Sequence, residues 1–332
     1  MNIYRSFAEL PIGFGPSVAT IGNFDGVHRG HQWVISEVIA QAKKLGFSSI
    51  AITFDPHPAS VVRPESRQPL ITSLAEKLEL LEATGIENVL VLPFTEEFSQ
   101  MTARSFATDI LRGALKVKEL HEGENFRFGY QAEAGIDSLA TLGRELGFEV
   151  QVYSPRNLRG GPISSSRIRK LIAGGDVGHA RALLGRSFAI TGNPTSGRGY
   201  GTRYTVPTIN MTCYGELLPA NGVYVTSLMV GGGAGIEMFD AVTNVGNRPT
   251  FGADSFTVES HLLNFHPIDL NEQTPLRLAF LKRLRAEIRW PSPEALREQI
   301  GRDVAQAKRY FSFCRVVGST HQTDPHPAAL VK

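Results

Sequence analysis

The chain is short of several things, and each shortage removes a class of protein. Of 332 residues only two are cysteines, Cys213 and Cys314, far apart and outside any C-x-x-C spacing. That leaves no disulfide framework and no thiolate metal site. Charge of one sign is also scarce: 34 Lys and Arg stand against 32 Asp and Glu, a formal net charge of +2. This is too little for a strongly basic nucleic-acid binder, so an anionic substrate would have to be drawn in by local sites. No apolar run approaches membrane-spanning length. The first ten residues carry Arg5 and Glu9 around no long apolar core, so no signal peptide is expected there. Internal repeats are absent as well. With 42% hydrophobic and 20% charged residues, a cytoplasmic globular chain remains, long enough for two domains that each bury a core. The sequence leaves a homo-oligomer open.

What is present falls into two halves. The first alternates short β-rich runs with helical periodicity. Strands are expected at Ser17–Ile21, Ser49–Phe54, Asn88–Pro93 and Glu149–Tyr153, and helices at Gln32–Leu45, Leu74–Thr84, Ala103–Leu115 and Ile136–Leu146. This alternation predicts a doubly wound parallel α/β sheet, whose ligands bind outside the carboxyl ends of the strands. Gly174-Gly175-Asp176 breaks one helix, and a short second helix, Val177–Leu184, ends at Gly185. Beyond it, runs at Ser187–Thr191, Thr205–Met211, Gly222–Met229, Phe239–Val245, Thr257–Leu263 and Leu276–Leu284 predict an antiparallel β-barrel. The glycine run 231–235 lacks the G-x-x-x-x-G-K-[ST] pattern and reads as a hairpin loop. Ser292 is placed to cap a closing helix from about Pro293 to Phe313, with Leu296, Ile300, Val304, Ala307 and Tyr310 on its apolar stripe. The expected domains are 1–185 and 186–315, with a disordered tail over 316–332.

The most informative segment is Ile21-Gly22-Asn23-Phe24-Asp25-Gly26-Val27-His28-Arg29-Gly30-His31. It reads as a buried strand, a glycine turn and a helix start carrying two histidines. A helix start offers unpaired N–H groups and the positive end of the dipole, a ready anion site. Glycines let backbone approach phosphate, and imidazole N–H groups can stabilise charge growing on a phosphoryl group. The pair could instead be helix-start histidines satisfied locally, or zinc ligands completed by His57 or Asp25. Thr53-Phe54-Asp55-Pro56-His57-Pro58 ends the second expected strand, where prolines hold His57 near the sheet edge. A third segment, Ile163-Ser164-Ser165-Ser166-Arg167-Ile168-Arg169, combines hydroxyls, two guanidinium groups and a helix start. A serine there caps a helix in any reading, while the arginine forks also fit phosphate oxygens.

The H-x-G-H spacing after a buried strand resembles the signature of the nucleotidylyltransferase superfamily, and the Ser/Arg segment resembles its late phosphate-binding motif. Two further segments, Pro207-Thr208-Ile209-Asn210 and Asn244-Val245-Gly246-Asn247-Arg248-Pro249-Thr250-Phe251, have no place in that domain. All four in this order resemble the prokaryotic bifunctional riboflavin kinase/FMN adenylyltransferases, over roughly residues 15 to 312. The resemblance implies an N-terminal Rossmann-like α/β nucleotidylyltransferase domain and a C-terminal β-barrel kinase domain with a closing helix. It implies two ATP-dependent steps, riboflavin to FMN and FMN to FAD, with Mg²⁺ assisting and only small-molecule partners: no nucleic acid, no membrane.

By resemblance, His28 and His31 serve catalysis of the second step. Gly22, Asn23, Phe24, Asp25, Gly30, Phe54, His57 and Asn125 line its nucleotide and phosphate side, and Ser164, Arg167 and Arg169 hold the triphosphate. Phe126 and Phe128, flanking Arg127, read as core. For the first step, Gly201, Thr208 and Asn210 bind nucleotide, with Thr208 and Asn210 reaching Mg²⁺ through ATP. Asn247, Arg248 and Thr250 form the flavin-side loop, and Glu259 is the base that takes riboflavin's 5′-hydroxyl proton. A strand glutamate is otherwise simply solvated. The chain departs from the family's usual G-R-x-L-G-F-P-T-A-N by carrying Thr202 and Thr205, and threonine tolerates positive φ far less than glycine. A monofunctional FMN adenylyltransferase with an impaired barrel therefore stays as the alternative, and a flavin-binding regulator without turnover as a third reading.

Overall fold

The computed structural model describes residues 1–195, 208–213, 217–232, 235–247, 256–266, 268 and 270–316. Expectations that rest on Gly201, Thr202, Thr205, Arg248, Thr250, residues 233–234 and the tail beyond 316 lie outside the described residues, as does the side chain of Asn247. The chain divides into two compact units, Met1–Ser165 and a second that begins at Ser166.

The first unit is built on six parallel strands: β1 (Asn2–Tyr4), β2 (Ser17–Ile21), β3 (Ser48–Asp55), β4 (Asn88–Pro93), β5 (Val117–Gly123) and β6 (Glu149–Tyr153). Their order is β1-β4-β3-β2-β5-β6. All five residues of β2 are buried, and its neighbours are β3, with Ile21 opposite Ile52, and β5, with Ala19 opposite Leu120. From β2 the chain winds through β3 and β4 on one side and then returns to β5 on the other, which makes the carboxyl ends of β2 and β5 the switch point of the sheet, the place where such folds bind ligands. One apolar layer packs Ile50, Ile52, Leu120 and Leu111; another packs Val18, Ile35, Val38 and Leu81. The helix expected over Ala103–Leu115 is wound more widely, with a π-helical stretch Phe106–Ala114 closed by Leu115 N–H donating to Ile110 O at 3.0 Å.

Strand β5 has no counterpart in the sequence reading. It carries Glu119, His121 and Glu122, all buried, so neither period-2 alternation nor an apolar run marks it. Most of these buried polar atoms find hydrogen-bond partners, His121 Nε2 excepted. Gln41 Nε2 donates to both Glu119 oxygens at 2.8 and 3.0 Å, and His121 Nδ1 lies 2.8 Å from the Tyr153 hydroxyl.

In the second unit, helices Ser165–Ala173 and Val177–Leu184 precede six antiparallel strands that close into a barrel. They are β7 (Phe188–Pro194), β8 (Thr208–Cys213), β9 (Gly222–Val230), β10 (Glu237–Asn247), β11 (Phe256–Leu262) and β12 (Leu276–Ala286), in the order β10-β11-β8-β7-β12-β9. Tyr224, Phe239 and Phe280 fill the core, with a buried hydroxyl chain: Thr226 to Thr243 at 2.6 Å and Thr243 to Ser260 at 2.8 Å. Among the described residues no helix is long and apolar enough to cross a membrane.

The closing helix spans Pro293–Val316, and Ser292 Oγ accepts from Ala295 N–H at 3.3 Å. Of the expected stripe, Ala307 is buried and Val304 and Tyr310 pack against the core, whereas Leu296 and Ile300 are exposed; the fully buried positions are Asp303, Ala307, Phe311 and Cys314. The cause is electrostatic. Arg285 on β12 donates to Asp303 from Nε at 3.0 Å and Nη2 at 2.9 Å, and Gln299 donates to its other oxygen at 2.9 Å. This anchor rotates the helix so that a carboxylate faces the barrel. Arg285→Ala strands that carboxylate without its charge partner and is expected to cost about 3 kcal/mol in denaturant unfolding. A loss below roughly 0.5 kcal/mol, the size of a surface pair, contradicts the assignment.

Candidate active sites

At the end of β2 the chain makes a tight loop into helix Arg29–Leu45. His28 is its N-cap, with Nδ1 accepting from His31 N–H at 3.2 Å. An imidazole that accepts at Nδ1 carries its ring proton at Nε2, so neutral His28 is a fixed donor tautomer. The His28 and His31 rings stack 3.6 Å apart at 15°, and Phe24 meets His31 edge-on at 5.2 Å. A Cβ at Gly30 would lie 3.1 Å from the His28 ring, and one at Gly22 would lie 3.1 Å from Phe24, which is why both positions are glycine. The turn is strained: Phe24, Gly26 and Val27 all have left-handed backbone, with φ of 46°, 79° and 35°.

Buried charged side chains hold this strained turn. Asp25 accepts from Ile71 N–H at 3.0 Å and Thr72 N–H at 3.1 Å, while Gly26 N–H donates to Thr72 Oγ1 at 3.0 Å. Lys77, on helix Leu74–Glu82, donates to Asn23 O, Thr53 Oγ1 and Phe54 O at 3.1–3.3 Å. Where the β2–β5 ladder stops, Glu122 Oε1 accepts from Ile21 N–H at 2.5 Å. Sequence reasoning missed Thr72, Lys77 and Glu122, because a charged residue in a strand or helix ordinarily marks a solvated face.

Asn23, Asp25, Phe54 and His57 line one small, partly open pocket with Lys77 and Asp55. His57 repeats the device of His28: it caps helix Pro58–Val62, with Nδ1 accepting from Ala59 N–H at 3.1 Å. Phe54 sits in an aromatic cluster with Phe94 and Phe98. Phe128 is buried and Phe126 stacks on it at 5.5 Å, both in the core. Asn125 is exposed, two residues past the end of β5. Ser164 precedes helix Ser165–Ala173, and Ser165 Oγ donates to Asp25 O at 2.8 Å. Arg167 and Arg169 lie on that helix, in the second unit. Among the described residues no group of three or more His, Cys, Asp or Glu gathers as a metal site, so the zinc arrangement of His28, His31 and His57 is not formed.

Burial dominates the electrostatics. It holds the His31 imidazole well below its usual pKa of 6.5, helped by repulsion from His28 and then Lys77. Burial likewise lowers the Lys77 ammonium, against the pull of Asp25 and Asp55, and pushes the Glu122 carboxyl well above 4.5. At neutral pH the His31 imidazole is therefore neutral, and it stacks on a His28 ring whose Nδ1 accepts a backbone N–H, an arrangement suited to meeting a phosphate with ring N–H donors.

In the barrel, Glu259 on β11 pairs directly with Asn210 on β8 and, on its other side, with Asn244 on β10. His261 pairs with Thr208, its Nδ1 3.4 Å from Thr208 Oγ1. Alternation turns Ser260 inward and leaves Thr208, Asn210, Glu259 and His261 half-buried on the outer face. Asn210 Oδ1 is buried and has no hydrogen-bond partner among the described residues.

Comparison with known proteins agrees with this division. Residues 14–167 match the FAD synthetase family model and residues 184–311 match the riboflavin kinase family model. A bifunctional riboflavin kinase/FMN adenylyltransferase of Pseudomonas fluorescens is 35% identical, over 93% of this chain and 97% of that protein. The protein of the same name from Escherichia coli K12 is 33% identical, over 90% and 94%. A crystal structure of a Streptococcus pneumoniae protein described as a macrolide-efflux protein superposes with a TM-score of 0.79, at 26% identity, over 92% of this chain and 98% of its own.

Glu122 gives this arrangement a pH signature. Its folded pKa lies above the 4.5 of an unperturbed carboxyl, so the folded chain keeps a proton that the unfolded chain releases. The associated stability is complete below that value and is lost as pH rises through the folded pKa. Glu122→Gln retains the acceptor for Ile21 N–H and has no such loss. Its stability relative to the parent chain, measured by denaturant unfolding across pH, should grow from about pH 4.5 upward. A difference that does not change with pH contradicts burial of an ionisable carboxyl.

Proposed function

The chain belongs to the bifunctional riboflavin kinase/FMN adenylyltransferase family, and on that premise we propose that it makes FAD in two steps. The barrel transfers the γ-phosphoryl group of ATP to riboflavin, giving FMN and ADP. The α/β unit then joins FMN to the adenylyl group of a second ATP and releases pyrophosphate. Two observations support assigning both activities: the stacked His28–His31 pair at the switch point of the sheet, and the closed barrel that sets Glu259 beside Asn210. The closed barrel and the two family matches disfavour a chain with only the second activity.

Adenylyl transfer needs no protein nucleophile, since the phosphate of FMN is already an anion. The protein aligns it with the α-phosphate and stabilises the charge of the pentacoordinate state. His28 and His31 serve that charge, Asn23, Phe24, Gly22 and Gly30 shape the loop around it, and Phe54, His57 and Asn125 face the nucleotide and FMN. Ser164, Arg167 and Arg169 hold the triphosphate. In the kinase step Glu259 accepts the 5′-hydroxyl proton, which requires hydrogen-bond reach of that hydroxyl. Gly201 belongs to the nucleotide side, and Asn247, Arg248 and Thr250 to the flavin side.

Mg²⁺ fits the kinase site on one observation: the buried Asn210 Oδ1, without a hydrogen-bond partner among the described residues, stands two residues from the Thr208 hydroxyl on the same strand face. Both are hard neutral oxygens of the kind Mg²⁺ accepts alongside phosphate oxygens. When bound, the ion would neutralise charge on the transferring phosphoryl group. The functional boundary is proposed near Gly185, with 1–185 serving the second step and 186–315 the first. The enzyme is proposed to be cytoplasmic, working on small molecules with neither nucleic acid nor membrane as partner.

Product analysis with riboflavin, ATP and Mg²⁺ tests this directly: both FMN and FAD should form. His28→Ala and His31→Ala should each lower FMN-to-FAD turnover more than tenfold, since one such donor is worth about 3 kcal/mol in a transition state. Glu259→Gln should abolish FMN formation and spare FAD formation from FMN. If Glu259→Gln is fully active, the base lies elsewhere; if the parent chain makes FAD only from supplied FMN, the barrel is not a kinase.

A further inference from the structure

Lys77 is the least expected charge in the molecule. It is 8% exposed, and all three ammonium hydrogens go to neutral oxygens: Asn23 O in the histidine loop, and Thr53 Oγ1 and Phe54 O at the end of β3. Among the described residues no carboxylate forms an ion pair with it. Burying an ammonium costs several kcal/mol even when it is hydrogen-bonded, and an apolar side chain would fill the space without that cost. Buried cations left in this state gather where a site uses them. This one lines the pocket that also holds Asn23, Phe54 and His57.

The three contacts do different work from the Asp25 clamp. Asp25 fastens the turn to Ile71 and Thr72, on the segment that leads into helix Leu74–Glu82. Lys77 fastens the same turn to β3, the strand that leads on to His57. It bonds both to the loop carrying His28 and His31 and to the strand end preceding His57. Thr53 Oγ1 completes the triangle by donating to Asn23 O at 3.4 Å.

We propose that Lys77 is a positioning residue for adenylyl transfer: its ammonium clips the histidine loop to the end of β3 and places a positive charge beside that loop. The proposal rests on the assignment of adenylyl transfer to this site. The charged or titratable groups around the clip are His28 and His31 on the loop and helix start, Asp25 in the loop and Asp55 at the end of β3. The repulsion that Lys77 exerts on His31 adds to burial in keeping that imidazole neutral. The clip thereby links the placing of the two histidines to their protonation.

The test uses the full-length chain carrying Lys77→Met or Lys77→Arg. Lys77→Met should lower kcat for FMN-to-FAD conversion at least tenfold, leave riboflavin phosphorylation within twofold, and move the acid limb of the kcat profile to higher pH. Lys77→Arg should keep the acid limb near its parent position even if the rate falls, because it keeps the charge while changing the fit. His31 titration followed by NMR, without substrate, should move upward by roughly half a pH unit or more in Lys77→Met and stay in place in Lys77→Arg. An unchanged FAD rate in Lys77→Met overturns the proposal, as does a lowered rate with the acid limb and the His31 titration both unmoved. If the parent chain makes no FAD, the functional assignment fails, and the NMR titration still decides the electrostatic link. If Lys77→Met does not fold, Lys77→Arg and Lys77→Gln carry the comparison, and identical His31 titrations in those two overturn it.

Discussion

The structure of the α/β unit turns on a single strained turn held in place by buried charge. Between Gly22 and His28 the backbone enters the left-handed region at Phe24, Gly26 and Val27, and a β-branched valine there is costly. The turn persists because its surroundings over-determine it. Asp25 gathers amides from Ile71 and Thr72, Lys77 gathers three oxygens, and Glu122 takes the last amide of β2. The reward is local geometry: His28 falls at the N-cap, His31 falls one turn on, and the rings stack. A looser turn would leave the same residues in the sequence without bringing the imidazoles face to face.

The barrel solves its placement problem by register. Strand pairing alone sets Glu259 between Asn210 and Asn244 and sets His261 opposite Thr208. A slip of one residue would turn Glu259 into the interior, where the hydroxyl chain of Thr226, Thr243 and Ser260 now lies. Those buried hydroxyls satisfy one another only in the observed register, so the core itself specifies which face carries the polar cluster. The Arg285–Asp303 pair extends the same logic to the closing helix, where a carboxylate rather than a leucine fixes the rotation.

Much of this was legible because the chain follows local rules. β2, β4, β6 and helix Ile136–Leu146 begin and end where apolar runs and turn signals put them. The histidine loop and the alternation around Glu259 were equally open to reading, since strand, glycine and helix start follow one another in sequence. Much of what could not be read shares one physical cause, burial of charge, although the short, exposed edge strand β1 escaped for want of any apolar run. β5 was invisible because Glu119, His121 and Glu122 break its apolar pattern, and the stripe of the closing helix was read correctly at Val304, Ala307 and Tyr310 but missed Asp303, a charged core residue. Lys77 sits in a helix rich in glutamate, where a lysine ordinarily faces water. Partners that come from residues dozens of positions away leave no local trace.

The central claim is that the geometry of the histidine turn depends on buried charge rather than on the motif residues alone. Turnover of FMN to FAD by Asp25→Asn, measured beside riboflavin phosphorylation in the same preparation, tests it most directly. The amide keeps the size of the side chain but loses the charge that gathers the Ile71 and Thr72 amides. FAD formation should fall at least tenfold while riboflavin phosphorylation holds. Unchanged FAD formation, or an equal fall in both activities, would contradict the account.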